Sequence, residues 1–451
     1  MTNLKKFRAY LPLIAVGLAA LVLAERLFLL VDRYAVNVFF ADQWEFNDAT
    51  VFRSHSLWQI FLWQQGPHRE GLGGVLSKWI EPLFRWDSRT ESFLVAGILV
   101  AGMLLGLWLK KRLIGTLDYY DVVIPSIFLT ATQCELIFGD ANLALGPLPL
   151  LLIVVYCLSW TIPNSLPRIT AVLMVNLFLV FTGFGLLMGV VTPVALLASL
   201  WMSPMKREHI ANYLPAILLA AVSLGLFFVG YRWNPDVPCY DSGPRSLADY
   251  YRFAALMHGN YLGFDSVTSK HPEFWGVLLL GFFLAMMATV MANILLSAKA
   301  EERDAIGLIV PFVLIAFGLA FAGATARGRI CLGLGAAQES RYMPYLTPGF
   351  FGVYLYLQRV MPKCWARHAV LSGYLLVCAY AGWPVHAGDQ LEMTGFRETK
   401  LRWKSCYLAT RSVEGCNREV GRRICNPRED ANLQQKLNLL ERERLNLFDG
   451  H

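Results

Sequence analysis

Residues 10–31, YLPLIAVGLAALVLAERLFLLV, stand behind a basic flank of Lys5, Lys6 and Arg8, and their reading decides the class of fold. A helix needs about 20 mainly apolar residues to cross the hydrocarbon core of a bilayer, and this run supplies them. With a basic flank and no small-residue cleavage site, it reads as a retained anchor whose N-terminus is cytoplasmic. The rest of the chain repeats the theme. Of 451 residues, 56% are hydrophobic, 13% aromatic and only 16% charged. A globular domain carries about 25% charged residues, so an ordinary soluble protein is excluded, as are a disordered chain, a collagen-like repeat and a coiled coil. The net charge of +7 is therefore read by position, as a topology signal.

Ten further apolar blocks lie near residues 92–109, 120–138, 144–162, 168–184, 186–203, 210–230, 274–298, 305–324, 342–359 and 368–386, which makes about eleven spans. Thr182, Gly183, Phe184 and Gly185 are read as a tight turn between two helices, because one kinked helix would leave the later loops badly charged. Alternation then puts Lys110, Lys111, Arg112, Arg168, Lys206, Arg207, Lys299, Arg303, Arg359, Lys363 and Arg367 inside, as the positive-inside rule requires. The outer side receives residues 32–91, 231–273, 325–341 and the tail 387–451. The expected fold is an all-α polytopic helix bundle, residues 1–386, with interfacial helices in its first outer loop and a small cap segment at 387–451.

The nine cysteines divide the same way. Cys134, Cys157 and Cys378 fall within spans and Cys364 faces inward, whereas Cys239, Cys331, Cys406, Cys416 and Cys425 lie outside, where disulfides persist. Spacings of about ten residues allow a bridge among Cys406, Cys416 and Cys425, with the pairing left open by sequence. Nothing has the paired spacing of a zinc site.

The outer segments hold the unusual chemistry. After the first span come Phe39, Phe40, Ala41, Asp42, Gln43, Trp44, Glu45 and Phe46, placing two carboxylates at the end of a membrane helix. A carboxylate there is costly unless it faces water, a partner or a substrate; the plainer reading is a solvated loop with an interfacial Trp. From Asn47 to Trp63, Val51, Phe52, Leu57, Trp58, Phe61 and Leu62 recur at helical spacing, which predicts an interfacial amphipathic helix. Val75 to Trp86 predicts a second, broken by Pro82. Between them Gln65 to Gly71 reads as a polar turn just above the bilayer, where His68 and Arg69 either bind a phosphate or sugar hydroxyl or simply face solvent.

Arg327, Arg329, Glu339, Arg341 and Tyr342 then collect on the side where positive charge is normally sparse. Arginine contacts phosphate oxygens in bidentate, charge-assisted fashion, so a lipid-linked phosphate is the natural partner; pairing with Asp42, Glu45 or Glu339 for structure is the other reading. Asp140, in the turn Gly139 to Asn142, either caps a helix or reaches the same cavity. Asp236, Asp241, Tyr250, His258 and Asp265 in the second outer loop are left unranked. Leu433 to Phe448 reads as an amphipathic helix in the tail.

An inside N-terminus, a first span ending in Asp42 and Glu45, and a first outer segment of two interfacial helices resemble the C-type (GT-C) membrane glycosyltransferases. Closer still, Asp42 to Trp44, His68 with Arg69, and Ser340, Arg341, Tyr342 before an aromatic-rich span look like a poorly characterised group of bacterial multi-span proteins. That group's pattern has an Asn-Glu-His-Arg run where this chain has Gly66, Pro67, His68 and Arg69, so only His68 and Arg69 carry over.

The resemblance implies a bacterial inner membrane, a periplasmic active face, and transfer of a sugar from a polyprenyl-phosphate donor to a glycan or lipid-linked acceptor of the cell envelope, such as O-antigen. Asp42 is then the general base, with Glu45 next in line, and His68, Arg69, Asp140, Arg327, Arg329, Arg341 and Tyr342 bind substrate. Direct attack would invert the anomeric centre. No cofactor is expected and no metal site is assigned, although a divalent metal assists some relatives. A small membrane partner could supply the donor. The rival readings are a transporter or flippase of lipid-linked sugars, which calls for charges mid-span and paired broken helices, and a glycan polymerase or ligase.

Overall fold

The structure, a computed structural model, describes residues 2–46, 55–203, 207–232, 245–298, 301–425 and 430–449. Among them the chain is almost wholly helical. The one sheet is a hairpin of β1 (Gln64–Gln65) and β2 (His68–Arg69), with Gln65 opposite His68. Seven helical stretches are long and apolar enough to cross a membrane: Tyr10–Tyr34, Ser88–Ile114, Gly183–Met202, Ile210–Phe227, Pro272–Leu296, Glu302–Leu332 and Trp365–Thr410. The chain is thus an all-α protein built for a membrane.

The helices that matter below are α1 (Thr2–Tyr34), α2 (Gln43–Phe46), α3 (Leu57–Leu62), α4 (Gly71–Ile80), α5 (Ser88–Ile114), α6 (Val123–Phe128), α7 (Pro147–Trp160), α8 (Ser165–Val180), α9 (Met188–Met202), α10 (Arg207–Phe227), α11 (Leu247–Tyr261), α12 (Pro272–Leu296), α13 (Glu302–Arg329), α14 (Met343–Val360), α15 (Trp365–Gly382), α16 (Ala387–Thr410), α17 (Val413–Val420) and α18 (Asp430–Glu443). Their ends follow local chemistry. Asp87 caps α5 by accepting from the N–H groups of Arg89 and Thr90, and Lys111 and Arg112 sit in its last turn, where cations oppose the helix dipole. The seventh stretch is two helices: α15 is apolar, whereas α16 is polar and belongs to the cap.

Four of the eleven expected blocks take other forms. Block 120–138 holds only the six residues of α6; from Leu129 the backbone runs through a 3-10 turn, Ala131–Gln133, and a π turn, Glu135–Gly139, to Gly146. Nearly every residue of 129–146 is buried, as irregular backbone in a membrane chain has to be unless it borders water. Blocks 144–162 and 168–184 become the 14-residue α7 and the 16-residue α8. Block 342–359 becomes α14, whose residues 343–358 are all buried by neighbouring helices. A 3-10 turn at Gly183–Leu187 separates α8 from α9. α13 and α14 pack closely because small residues face each other: a Cβ on Gly318 would lie 3.1 Å from Gly349 Cα.

Part of the first interfacial helix, residues 47–54, lies outside the described residues, as do Asp236, Cys239 and Asp241. The rest is α3, closed by a capping box of Ser56 and Gln59. The second begins earlier than expected, at Gly71, and passes into a 3-10 turn at Pro82. Trp58, Trp79 and Leu83 are 66%, 65% and 75% exposed, the disposition of side chains that lie on lipid.

The tail folds back over the first loop. Leu433, Leu437, Leu440, Trp403, Tyr407 and Phe448 form a second apolar core with Phe39, Phe40, Trp44 and Trp86, so Trp44 is buried under the cap and is no interfacial anchor. Asn446 fastens the two parts: its Nδ2 donates to Trp86 O (2.7 Å) and Asn37 Oδ1 (2.9 Å), and Asn37 Nδ2 donates to Asn446 O (2.9 Å). A disulfide joins Cys406 to Cys416, settling the pairing left open by sequence, while Cys425 is buried. Closing a loop of that length stabilises by roughly 2–3 kcal/mol. Reduction is therefore expected to lower the cap's resistance to proteolysis while the bundle stays intact, as limited digestion with and without a reductant will show.

Candidate functional site

Asp42 is placed by a turn held from two sides. Ala41 has φ +48°, a left-handed conformation uncommon for a residue with a Cβ, so contacts must enforce it. On the cap side, Ala41 N–H donates to Ile424 O at 2.9 Å. On the bundle side, Gln43 N–H donates to Asp140 Oδ1 at 2.9 Å. The buried Gln43 amide completes the clamp, donating to Ala141 O (2.7 Å) and to Glu91 Oε2 (3.2 Å). Asp42, half-buried between these anchors, is therefore fixed against the broken segment 129–146.

The broken segment explains why Asp140 is there. The π turn ends with Asp140 N–H donating to Glu135 O at 2.7 Å, and Gly139 is pressed so closely under Phe396 of α16 that a Cβ would lie 2.8 Å from the ring. Helix capping, the plainer expectation for Asp140, gives way to a bond to the first loop. Burial pushes the Asp140 carboxyl well above the usual range; the charges of Asp42 and Glu135 add to this, and Lys400 and Arg341 oppose it.

A third carboxyl completes the group. Glu70, 1% exposed at the start of α4, is raised well above the usual range by burial, then by Glu45, Asp42 and Glu91. Its Oε1 has no hydrogen-bond partner. Glu45 Oε2 accepts from Gln65 Nε2 at 3.1 Å. Two neighbours of Asp42, Glu70 and Asp140, are thus held towards their neutral forms.

The hairpin is buried within the protein and does not face solvent: His68 and Arg69 are 8% and 4% exposed. Arg69 ties the loop to the end of α10, its Nε donating to Phe227 O (2.8 Å), one terminal nitrogen to Val229 O (2.7 Å) and the other to Leu62 O. The guanidinium is engaged by backbone carbonyls. His68 is lowered to about 4 by burial, with Arg329 adding to the effect, so its ring is neutral at pH 7. A carbonyl only accepts, so Nδ1–H donates to Gly183 O (3.0 Å) and Nε2 is left as an acceptor.

The basic cluster stands beside this face. Arg327 and Arg329 close α13; Arg327 is exposed, Arg329 is half-buried near His68, and neither makes a hydrogen bond or ion pair among the described residues. Arg341 is paired with Glu339 and lies 3.8 Å from Glu135. Tyr342 is buried under the Arg341 guanidinium, 5.6 Å from its ring centre. Ser340 anchors the run, accepting from Glu135 N–H (2.9 Å) and donating to Glu392 Oε1 (3.1 Å).

The structure thus brings Asp42, Glu45, His68, Asp140, Arg329, Arg341 and Tyr342 to one face, with Arg327 at its rim and Arg69 behind it. Gln43, Glu70, Glu392 and Lys400 join them without having been singled out from sequence. Asp389, Glu392 and Lys400 share a stripe of α16 with Met393, Phe396 and Trp403, all facing inward. Charge in such a stripe ordinarily marks a solvated side, so no periodicity distinguishes it. Among the described residues no group of three or more His, Cys, Asp or Glu side chains is arranged to hold a metal ion. Comparison with family models, curated proteins and solved structures returns no match.

Proposed function

We propose that the protein is a membrane glycosyltransferase that moves a sugar from a polyprenyl-phosphate donor to an envelope glycan or lipid-linked acceptor, at the face formed by the first loop and residues 325–342. One observation carries the reading: a half-buried carboxylate, Asp42, lies in a turn bonded to Asp140 and acts on Glu70, both carboxyls held towards neutrality, in the same loop as His68, which feels the charge of Arg329.

The chemistry follows from that juxtaposition. Asp42 takes the proton of the acceptor hydroxyl as its oxygen attacks the anomeric carbon, and Glu45 stands next to it. The bond from that carbon to the phosphate oxygen breaks, and the charge gathering on the leaving phosphate is met by Arg329, Arg327 and Arg341 in a partly dehydrated cleft. Tyr342 and the neutral His68 border the same space, and a single direct displacement inverts the anomeric centre. The exposed aromatic side chains of α3 and α4 suit a membrane-embedded donor tail. In this reading the bundle of about eleven apolar blocks sits in a bacterial inner membrane with the cap in the periplasm.

The test is transfer of radiolabelled sugar from a panel of polyprenyl-phosphate donors to envelope glycan, in membranes with and without the protein. Transfer that depends on the protein supports the reading. Passage of labelled lipid across the bilayer with no transfer from any donor would replace it with the flippase, the second use for a broken helix among spans.

A further inference from the structure

The cap carries a basic cleft outside the proposed catalytic face. One wall is α17, an eight-residue helix that ends at Gly421, where φ is +73° and the chain turns. The turn brings Arg422 and Arg423 to the same cleft as Glu414, Asn417 and Arg418 of α17, and Gln434 of α18 adds to the lining. The space measures about 550 Å³, within the range of small-ligand sites. Its wall is held in place: Asn417 Oδ1 accepts from Trp403 Nε1 (2.9 Å) and Ile424 N–H (3.3 Å), and the neighbouring Cys416 is bound to Cys406 of α16.

Three guanidinium groups against one carboxylate leave the lining with an excess of positive charge. Glu414 and Arg418 lie one turn apart on α17, yet no ion pair joins them, and Arg418 makes no hydrogen bond or ion pair among the described residues. Arg422 makes only ring contacts there, its guanidinium carbon 4.8 Å from the centre of Phe40 and 5.1 Å from that of Phe396. Both arginines are exposed, so their planar forks of N–H donors face outward for an anion. The two rings also place the cleft. Phe40 stands two residues before Asp42, and Phe396 presses on Gly139, next to Asp140. Arg422 therefore links the cleft to the Asp42 turn.

The surface around the cleft decides between a lipid headgroup and a soluble anion. Among the described residues of 402–449 no large apolar side chain is exposed, whereas Trp58, Trp79 and Leu83 of the first loop are. A surface without exposed apolar side chains suits water and not a bilayer. We propose that this cleft is a subsite for the anionic groups of an acidic acceptor glycan, held by Arg418 and Arg422 with Arg423 adding charge, so that the cap selects acidic over neutral acceptors. The selection of acceptors rests on the glycosyltransferase reading; binding of the acidic glycan does not.

The probes are fluorescently labelled trigalacturonate and the neutral galactotriose, titrated by anisotropy against the intact protein in a neutral detergent. Trigalacturonate should bind and galactotriose should not. Arg418→Gln and Arg422→Gln should each weaken binding roughly tenfold, the scale of one lost charge-assisted contact. Arg418 has no contact to lose, so its variant should fold as the wild type does. Arg402→Gln is the control: it removes the same charge from α16, where Arg402 donates to Glu419 O at 3.3 Å outside the cleft, and it should leave binding unchanged. Equal binding of the two sugars, an equal loss in Arg402→Gln, or displacement of trigalacturonate by phosphatidylglycerol micelles overturns the proposal. In the transfer assay Arg418→Gln should raise KM for an acidic acceptor about tenfold with kcat unchanged. Transfer to acidic and neutral acceptors alike overturns the selection and leaves the glycosyltransferase reading standing. Should the wild type transfer nothing from any donor, that reading falls and the binding titration decides the cleft alone.

Discussion

Asp42→Asn is expected to slow sugar transfer by about 10²- to 10⁴-fold at unchanged expression, the usual loss when a positioned general base is removed. The substitution is nearly isosteric, and the clamp on either side of it uses other atoms: Ala41 N–H to Ile424 O, and Gln43 N–H to Asp140 Oδ1. The geometry of the loop therefore survives, and what is lost is the acceptor of the proton. In the proposed reading donor binding falls to the arginines and should be retained, so the defect belongs in kcat. Glu45→Gln is the comparison, since the Glu45 carboxylate is already engaged by Gln65 at 3.1 Å and a smaller loss is expected. Matched membranes assayed with the same labelled donor distinguish the two: a larger loss in Glu45→Gln than in Asp42→Asn would transfer the base to Glu45.

Gly71→Ala should be the most destabilising single methyl in the first loop, costing about 3 kcal/mol or more. Gly71 has φ +52°, and a Cβ there would fall 1.9 Å from Phe181 O, a backbone atom that cannot swing aside. The start of α4 would have to move away from the end of α8, taking with it Glu70, Arg69 and His68. Gly66→Ala supplies the control. Its φ is +53°, yet nothing lies within 4 Å of the added carbon, so only the left-handed backbone penalty of about 1 kcal/mol remains. The difference between the two midpoints of thermal unfolding isolates close packing from conformational preference. Equal effects would mean that the α4–α8 approach is looser than the structure has it.

The helical class and most of the apolar blocks were legible because each run of apolar residues is self-contained: length and flanking charge suffice. The break after Phe128 was not. Residues 129–138 pass for the end of the span before the turn at Gly139 to Asn142, and what unwinds them is tertiary: Tyr261 Oη donating to Ile127 O, Ser340 Oγ accepting from Glu135 N–H, and Phe396 against Gly139. At the site, Asp42, Asp140 and the Arg341 run stood out as charges at the ends of apolar blocks. Lys400 and Glu392 did not, because they lie in a helix polar enough to pass for a solvated one. His68 and Arg69 were noticed as a pair, but only the carbonyls of Leu62, Phe227 and Val229 show that one of them is bound into the scaffold.

The seam between the first loop and the cap also sets an order of assembly. Asn37 and Asn446 bond across 409 positions of chain, and Lys436 Nζ reaches Trp44 O at 2.7 Å across 392. Loop-first contacts can form while later helices are still being made, but the Asp42 turn acquires its outer support only when residues 424–446 have left the ribosome. Until then the loop carries its buried acids uncovered, and a chain stalled or cleaved before α18 would be an inserted bundle with an unfinished face. Such late closure leaves the face unfinished until the tail has been made, and it makes this seam the place where a chain that carries the tail differs from one cut short before it.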